Sequence, residues 1–197
     1  MSSFEPIAIV GRGCVLPGAL HPDELWELIV AKRDCVRAVP EGVWGCDRRG
    51  VHDAAGVDGT WTDRGGYVTG FEQVFDPSGL GLTAAQVRAT SEGTRWLLHA
   101  GRQALDEAAK TPHSRTGIAI GNLSFPTREM TRFAETTWWP TDLGAVAGLN
   151  ASPDTPASAR HRYMSGLPAE QVASTFGLGG PVVAMDAACA SALYAIG

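Results

Sequence analysis

The 197-residue sequence lacks a long apolar run, an extended basic stretch and a leader-like N-terminus. A membrane-spanning helix needs about 20 consecutive apolar residues, and no stretch approaches that length. No basic run exceeds two residues, as at Arg48-Arg49, and the formal net charge is −5, so we expect neither a membrane protein nor a nucleic-acid surface. Residues 1–6 carry no basic or apolar region typical of a secretory signal peptide, which favours a cytoplasmic protein.

Cysteine is scarce, and its four positions lack the close spacing of a metal site. Nothing in the sequence points to secretion, so disulfides are not expected either. Four aspartates in the glycine-rich stretch 45–70 could suggest calcium, but their spacing does not match that of a helix–loop–helix calcium site. We interpret them as solvated turn residues and predict no metal and no cofactor. The residues concerned are Cys14, Cys35, Cys46 and Cys189, and Asp47, Asp53, Asp58 and Asp63.

A chain of 197 residues can bury one sizeable core, so we expect one globular domain. A hydrophobic content of 44% and a charged content of 19% agree with this. Buried strands are expected at 7–10, 116–121 and 182–186, and a short hairpin at 60–68. Helices are expected at 22–32 with a core-facing side, at 91–109, at 128–137 and at 168–176, with Thr83 as an N-cap and Gly177 as a stop.

Gly11-Arg12-Gly13 follows the first predicted strand and has the start of a dinucleotide-binding fingerprint. The sixth position holds Leu16 instead of a small residue, and Pro17-Gly18 follows where a helix would have to begin. We therefore reject a nucleotide site and interpret the two glycines as turn residues.

Cys189 lies where the predicted strand 182–186 meets a helix start rich in alanine and serine. The unpaired amide groups of a helix N-terminus favour an anion, so a thiol there can act as a nucleophile in its thiolate form. The small residues on both sides of Cys189 leave room for an acyl group. A buried structural cysteine is the alternative, and on these residues alone it is the stronger interpretation.

The segment Asp186-Ala187-Ala188-Cys189-Ala190-Ser191-Ala192-Leu193 resembles the nucleophile motif of β-ketoacyl synthases, the condensing enzymes of fatty-acid and polyketide assembly. Residues 5–14 are similar to that family's opening strand and turn, 117–121 to its next core strand, and 177–181 to the approach to the nucleophile. Ala187, Ala190 and the loop 122–127 resemble iterative synthases of the polyunsaturated-fatty-acid type. The resemblance implies a thiolase-like fold of α/β layers with a mixed sheet between helices.

The same resemblance implies that Cys189 is the catalytic residue of a decarboxylative Claisen condensation. Its partners would be acyl and malonyl thioesters of an acyl carrier protein, with the complete enzyme a homodimer. Residues 1–197 would then be the N-terminal half, ending within the nucleophile helix, and the C-terminal half would supply two histidines and a lysine. No histidine of this sequence follows Cys189 or lies in a matching motif, so 1–197 alone is expected to be inactive; they are His21, His52, His99, His113 and His161.

Two other classes of function remain open at this point. The chain could be a non-catalytic fragment or partner subunit of a larger synthase, which the missing histidines favour. It could also belong to a thiolase that acts on coenzyme A esters, although the run 7–14 and Pro17-Gly18-Ala19 argue against that family. The strand 182–186 is apolar on both faces, so we expect it to be covered, close to the twofold axis of a dimer.

Overall fold

The computed structural model describes residues 6–44, 48–53, 56, 59–108, 112–123, 130, 160 and 165–196. The chain divides into two compact units. The first unit comprises Met1–Asp76 and His99–Ala108, and the second comprises Pro77–Leu98 and Ala109–Gly197. The helix predicted at 128–137 lies outside the described residues. None of the helices in the described ranges combines the length and the apolar character needed to cross a membrane.

In the first unit, residues 6–15 lie in no helix or strand, and the helix α1 (Pro22–Val30) follows them. Proline in the first turn, Asp23 and Glu24 beside it, and the His21 side chain, which accepts a hydrogen bond from the Asp23 N–H, all favour a helix start there. The strand β1 (Val36–Ala38) follows, then β2 (Arg64–Gly66) and the short helix α2 (Phe71–Val74). A 3₁₀ turn occupies Arg48–Gly50.

The helix α1 corrects one prediction, because none of its residues is buried. Leu25 and Leu28 are half-buried, whereas Ile29 and Trp26 are 58% and 66% exposed, so the apolar side of this helix is only partly covered in the described structure. The helix itself was predicted correctly, since capping and first-turn acids act locally. The direction of its apolar side depends on what packs against it, which local signals do not encode.

The prediction of a buried strand at residues 7–10 is also wrong. These residues are in no strand, and Ile7 and Ile9 are 86% and 87% exposed. A strand exists only through its hydrogen-bonded neighbour, and among the described residues none pairs with this segment. The next residues, 11–13, lie instead against the backbone of the helix that contains Ala100 and Ala104. A Cβ atom at Gly11 or Gly13 would overlap the carbonyl oxygen of Ala104 or Ala100, so these glycines permit close contact and are not turn residues.

The glycine-rich stretch forms a different pairing from the hairpin predicted at 60–68. β2 pairs antiparallel with β1, with Val36 opposite Gly66 and Ala38 opposite Arg64. Asp63, just before β2, is 7% exposed and forms an ion pair with Arg48. Its interpretation as a solvated turn residue is therefore wrong. Burial of the carboxylate is compensated by the guanidinium partner.

The long helix α4 (Glu92–Ala108) agrees with the helix predicted at 91–109. The shorter helix α3 (Ala84–Ala89) precedes it in the chain and begins with a capping box between Thr83 and Gln86, so Thr83 is the N-cap as predicted. Thr94 and Leu98 are the buried residues of α4. His99 forms an edge contact with the Phe71 ring, and its Nε2 lies 3.1 Å from the Leu20 carbonyl oxygen.

In the first unit, α4 is joined to the N-terminal segment by an ion pair. The Arg12 guanidinium donates to Glu107 Oε1 over 2.7 Å, and the Arg12 backbone N–H donates to Oε2 over 2.6 Å. These two hydrogen bonds from Arg12 lower the pKa of the Glu107 carboxyl below its ordinary value. The pair is exposed, so its contribution to stability is small and sensitive to salt.

The Glu107 pair predicts an acid dependence of stability. A carboxyl with a lowered pKa in the folded state stabilises the fold above its unfolded pKa, and this contribution is lost as the pH falls through the folded pKa. The free energy of unfolding should therefore decrease more between about pH 5 and about pH 3 in the original protein than in Glu107→Gln. Urea unfolding across that range measures how the free energy of unfolding changes with pH in each of the two proteins. Equal slopes would contradict the prediction.

The second unit contains the helix α5 (Gly166–Phe176), the strands β3 (Ile118–Gly121) and β4 (Val182–Met185), and the helix α6 (Ser191–Ile196). β3 and β4 are parallel, with Ile118 opposite Val182 and Gly121 opposite Met185. Both helices pack on this strand pair. α5 ends at Gly177, as predicted. The buried side chains of this unit are mainly aliphatic, and they include Leu80, Leu98, Ile120, Ala169, Val172 and Ala173.

Candidate active site around Cys189

Cys189 lies in the connection between β4 and α6, as the sequence predicted. β4 ends at Met185, residues Ala188–Ala190 form one 3₁₀ turn, and α6 begins at Ser191. The Cys189 side chain is exposed. The interpretation as a buried structural cysteine is therefore wrong, and the thiol is accessible to a reagent or substrate.

The backbone of this turn has an unusual conformation at Ala188, whose φ is +49°. Alanine rarely adopts the left-handed region because its Cβ crowds the backbone. Several hydrogen bonds surround this residue, and in one of them the Ser191 backbone N–H donates to the Ala188 carbonyl oxygen. The Ala188 N–H donates to Asp186 Oδ1 over 3.2 Å, the Ala187 N–H donates to Ser191 Oγ over 2.9 Å, and Ser191 Oγ donates to the Ala188 carbonyl oxygen over 2.7 Å.

Gly121, at the end of β3, allows the start of α6 to approach the strand pair. A Cβ at Gly121 would lie 2.5 Å from the Ser191 carbonyl carbon and 2.6 Å from the Ala192 nitrogen. Both atoms are backbone and cannot move aside as a flexible side chain can. The next residue continues the β3–β4 ladder, because the Asn122 N–H donates to the Met185 carbonyl oxygen over 3.0 Å. The Asn122 side-chain amide also donates, through Nδ2, to the Ser165 carbonyl oxygen over 3.0 Å.

Sequence reasoning placed Ser191 among the small residues beside Cys189 but gave it no hydrogen-bonding role, and it did not identify Gly121 as part of this site. A glycine at the end of a predicted strand and a serine two positions after the candidate nucleophile were the available signals. Neither signal is specific without the pairing of β3 with β4, which brings residues about 70 positions apart in the chain together. Phe125 and Pro126, within the segment 122–127 that resembles iterative synthases, lie outside the described residues.

Comparison with known proteins identifies the family to which this site belongs. The family model for the β-ketoacyl synthase N-terminal domain matches residues 4–197. The chain belongs to the β-ketoacyl synthase family. It is 33% identical over 202 residues to the spectinabilin polyketide synthase system protein NorC of Streptomyces orinoci, covering 98% of this chain.

Solved ketosynthase structures share the fold. The PfaC keto synthase–chain length factor aligns with a TM-score of 0.81 at 28% identity, over 96% of this chain. The oxazolomycin ketosynthase domain OzmH KS7 of Streptomyces albus aligns with a TM-score of 0.68 at 25% identity, over 95% of this chain. The predicted thiolase-like α/β fold is therefore confirmed. The chain spans 8% of the length of NorC, and 22% and 30% of the two solved chains.

The three described cysteines of this β-ketoacyl synthase chain differ in exposure. Cys14 and Cys35 are half-buried and free, whereas Cys189 is exposed. Burial raises the pKa of the Cys14 thiol, and the negative charge of Glu24 raises it further. Less of the Cys14 thiol is therefore in the reactive thiolate form at neutral pH. Cys46 lies outside the described residues.

This difference predicts selective alkylation. With a limiting amount of iodoacetamide, the complete folded protein should be modified at Cys189 several times faster than at any other cysteine of this chain, because Cys189 is exposed in a turn between a strand and a helix. Peptide mapping of the adduct measures the ratio. Preferential modification of Cys14, Cys35 or Cys46 would contradict it.

Histidine is a usual partner of a catalytic cysteine, and the second unit contains one described histidine, His113. Its Nδ1 lies 2.8 Å from the Phe176 carbonyl oxygen, so the ring forms a hydrogen bond at the C-terminal end of α5. This explains His113 as a structural residue of the α5 terminus. His161 lies outside the described residues. Among the described residues, no group of three potential ligands could hold a metal ion.

Proposed function

We propose that this chain carries the nucleophile of a β-ketoacyl synthase, with Cys189 as the catalytic residue. The observation that carries the proposal is an exposed thiol in the turn between β4 and α6, within a chain whose family match extends over residues 4–197. In this reaction the Cys189 thiolate attacks the thioester of an acyl carrier protein. The acyl group moves to the sulfur, and the carrier leaves as a thiolate, which takes up the proton that the Cys189 thiol lost on ionisation.

The second half of the reaction forms the carbon–carbon bond. A malonyl group on a carrier loses carbon dioxide, and the electron pair of the broken bond attacks the carbonyl carbon of the Cys189 thioester. The sulfur leaves as the thiolate, and a 3-oxoacyl carrier is the product. The negative charge that develops on the carbonyl oxygen needs hydrogen-bond donors, and the Cys189 backbone N–H is the donor that this chain supplies.

Other parts of the proposed enzyme come from beyond this sequence. We infer that residues 1–197 form the N-terminal half of the synthase domain and that histidines from a C-terminal half assist decarboxylation. The matching family model describes an N-terminal domain, and this chain covers 22% and 30% of two solved ketosynthase chains, which supports this division of roles. Residues 1–197 produced by themselves would then have no condensing activity. The proposed substrates are acyl and malonyl thioesters of an acyl carrier protein.

Assembly into a homodimer is part of the same proposal. Val182 and Val183 of β4 are 44% and 38% exposed, although the strand was predicted to be buried. Burying such apolar residues against a second subunit would remove them from water. Sedimentation of the complete protein tests this, and a stable monomer would overturn it. We further propose a cytoplasmic protein, in keeping with the β-ketoacyl synthase family whose model matches residues 4–197.

A subfamily is proposed from the nucleophile segment and the loop after β3. Ala187, Ala190 and residues 122–127 resemble iterative synthases of the polyunsaturated-fatty-acid type, and the likeness to the PfaC keto synthase–chain length factor is consistent with that type. Polyketide synthases are also among the relatives, NorC included. The product of the complete protein with carrier-bound substrates distinguishes the two pathways.

The proposed function is tested by product formation. The complete protein should convert acyl-carrier and malonyl-carrier thioesters into a 3-oxoacyl carrier with release of one carbon dioxide per product. A second reaction with acetyl-coenzyme A alone tests the thiolase alternative, since a thiolase needs no malonyl group. Product from the malonyl reaction supports the proposal. Product only from acetyl-coenzyme A, or no product from either reaction, would overturn it.

A further inference from the structure

The turn that presents Cys189 holds an alanine in a conformation that alanine disfavours. Ala188 has a φ of +49° and directly precedes Cys189, so its conformation sets the path of the chain into the Cys189 residue. Left-handed conformations of residues other than glycine persist where the surroundings hold them, and they are enriched at functional sites. Ala188 itself is exposed, so packing of its side chain does not hold it in place. The restraint must come from hydrogen bonds to the backbone.

Ser191 contributes to that restraint through its backbone N–H, which donates to the Ala188 carbonyl oxygen, and through two hydrogen bonds of its side chain. Its hydroxyl accepts from the Ala187 N–H over 2.9 Å and donates to the Ala188 carbonyl oxygen over 2.7 Å. The residue is 5% exposed, so both hydrogen bonds are shielded from competing water. The Ala187 N–H belongs to the peptide unit that precedes Ala187, and the Ala188 carbonyl belongs to the peptide unit that follows Ala188. One side chain therefore fixes the backbone before and after the strained position.

The orientation of the Ala188 carbonyl group has a direct consequence for Cys189. In a trans peptide the carbonyl and the N–H point in opposite directions, and the described residues contain no cis peptide. The Ala188 carbonyl is directed to the buried Ser191 hydroxyl. The N–H of the same peptide unit, which belongs to Cys189, therefore points away from Ser191. It is the N–H that our proposed function uses for the oxyanion of the thioester.

We propose that Ser191 is a positioning residue for acyl transfer: it holds Ala188 in the left-handed conformation and thereby aims the Cys189 thiol and N–H at the thioester. The proposal rests on the proposed function of Cys189 as the acyl acceptor. Ser191 takes no part in bond making itself. Its effect on the rate of acyl transfer depends on the conformation of Ala188. This effect can therefore be distinguished from a general loss of stability.

The test compares Ser191→Ala with the double variant Ala188→Gly/Ser191→Ala in the complete protein. Ser191→Ala should slow transfer of an acyl group from its carrier about tenfold, with the half-saturating carrier concentration unchanged. Glycine adopts positive φ without the Cβ conflict, so the double variant should recover to within about threefold of the original rate. Val172→Ala, in the buried part of α5, is the matched control. It should lower stability without slowing acyl transfer.

Several outcomes would overturn the proposal. They are a Ser191→Ala rate within about twofold of the original, a double variant as slow as Ser191→Ala, or an equal slowing in Val172→Ala. If circular dichroism shows that Ser191→Ala does not fold, the exposed Ala188→Val carries the test. A β-branched residue disfavours positive φ more strongly, so this variant should slow transfer, and an unchanged rate would overturn the proposal.

Alkylation of Cys189 by iodoacetamide separates this proposal from the proposed function, because it needs no carrier. If the original protein takes no acyl group, the proposed function fails. The alkylation rates of the same variants then decide the positioning claim. Slowing in Ser191→Ala with recovery in the double variant supports it, and equal rates overturn it.

Discussion

Cys189→Ala is expected to reduce condensation by the complete protein at least about a thousandfold, because removing the nucleophile of a covalent mechanism removes the step that the other groups assist. The substitution occurs at an exposed position, so the fold should be unaffected. Formation of the 3-oxoacyl carrier from acyl-carrier and malonyl-carrier thioesters measures the loss. Circular dichroism of the variant shows whether the fold is retained.

The matched control for this loss is Cys35→Ala, which removes another thiol of the same chain. Cys35 is free and half-buried beside Gly18, with no place in the turn after β4. Its removal should leave the condensation rate within about a factor of two of the original. A Cys189→Ala protein that retains a tenth or more of the activity would contradict the assignment. So would an equal loss in Cys35→Ala.

Gly121→Val is expected to lower the free energy of unfolding by about 3 kcal/mol, the upper part of the range for an overpacked core. The new Cβ would lie 2.5 Å from the Ser191 carbonyl carbon, and the backbone of α6 would have to move away from β3. That movement would disturb the Ser191 hydrogen bonds described above. We therefore expect slower alkylation of Cys189 together with the loss of stability.

Gly93→Ala is the matched control for the Gly121 substitution. Gly93 lies in α4 in the same unit, and a Cβ there would meet no atom within 4 Å. Alanine favours the helix over glycine by up to about 1 kcal/mol, so this variant should be neutral or slightly stabilised. Urea unfolding and iodoacetamide labelling measure both variants. A Gly121→Val protein as stable as Gly93→Ala would contradict the packing described for β3 and α6.

Local signals were sufficient to predict the elements that position Cys189. The apolar run before it, the small residues around it and the glycine that ends α5 act over a few residues, and the structure has β4, the turn and α6 in that order. The capping box at Thr83 was identified for the same reason. These elements depend on backbone propensity and capping, which adjacent residues determine.

Features that depend on distant residues could not be predicted. β2 pairs with β1 across about 28 positions, so the hairpin expected at 60–68 placed a strand near the correct residues with the wrong partner. Asp63 is buried because Arg48 neutralises it, and a single-sequence pattern does not show that pairing. Residues 7–10 have the composition of a buried strand but no partner among the described residues. Composition predicts a tendency to pair, whereas pairing requires a neighbouring strand.

The position of Ser191 illustrates the same limit at the candidate site. Serine at the start of a helix ordinarily indicates an N-cap that binds amides further along that helix. Here its hydroxyl binds backward, to the peptide groups of Ala187 and Ala188. These hydrogen bonds accompany the left-handed conformation of Ala188, and the sequence carries no glycine there to signal it. The resemblance to the family therefore indicated Cys189 as the candidate nucleophile but did not indicate Ser191, the residue that we propose holds its turn.

The most direct test of the account is to trap the acyl group on the protein. The complete protein is incubated with an isotope-labelled acyl carrier and no malonyl donor, and its peptides are then analysed by mass spectrometry. We predict one labelled acyl group per chain, bound as a thioester to Cys189, released by hydroxylamine and missing in Cys189→Ala. A label on another residue of this chain, or no label on a folded protein, would contradict the central claim.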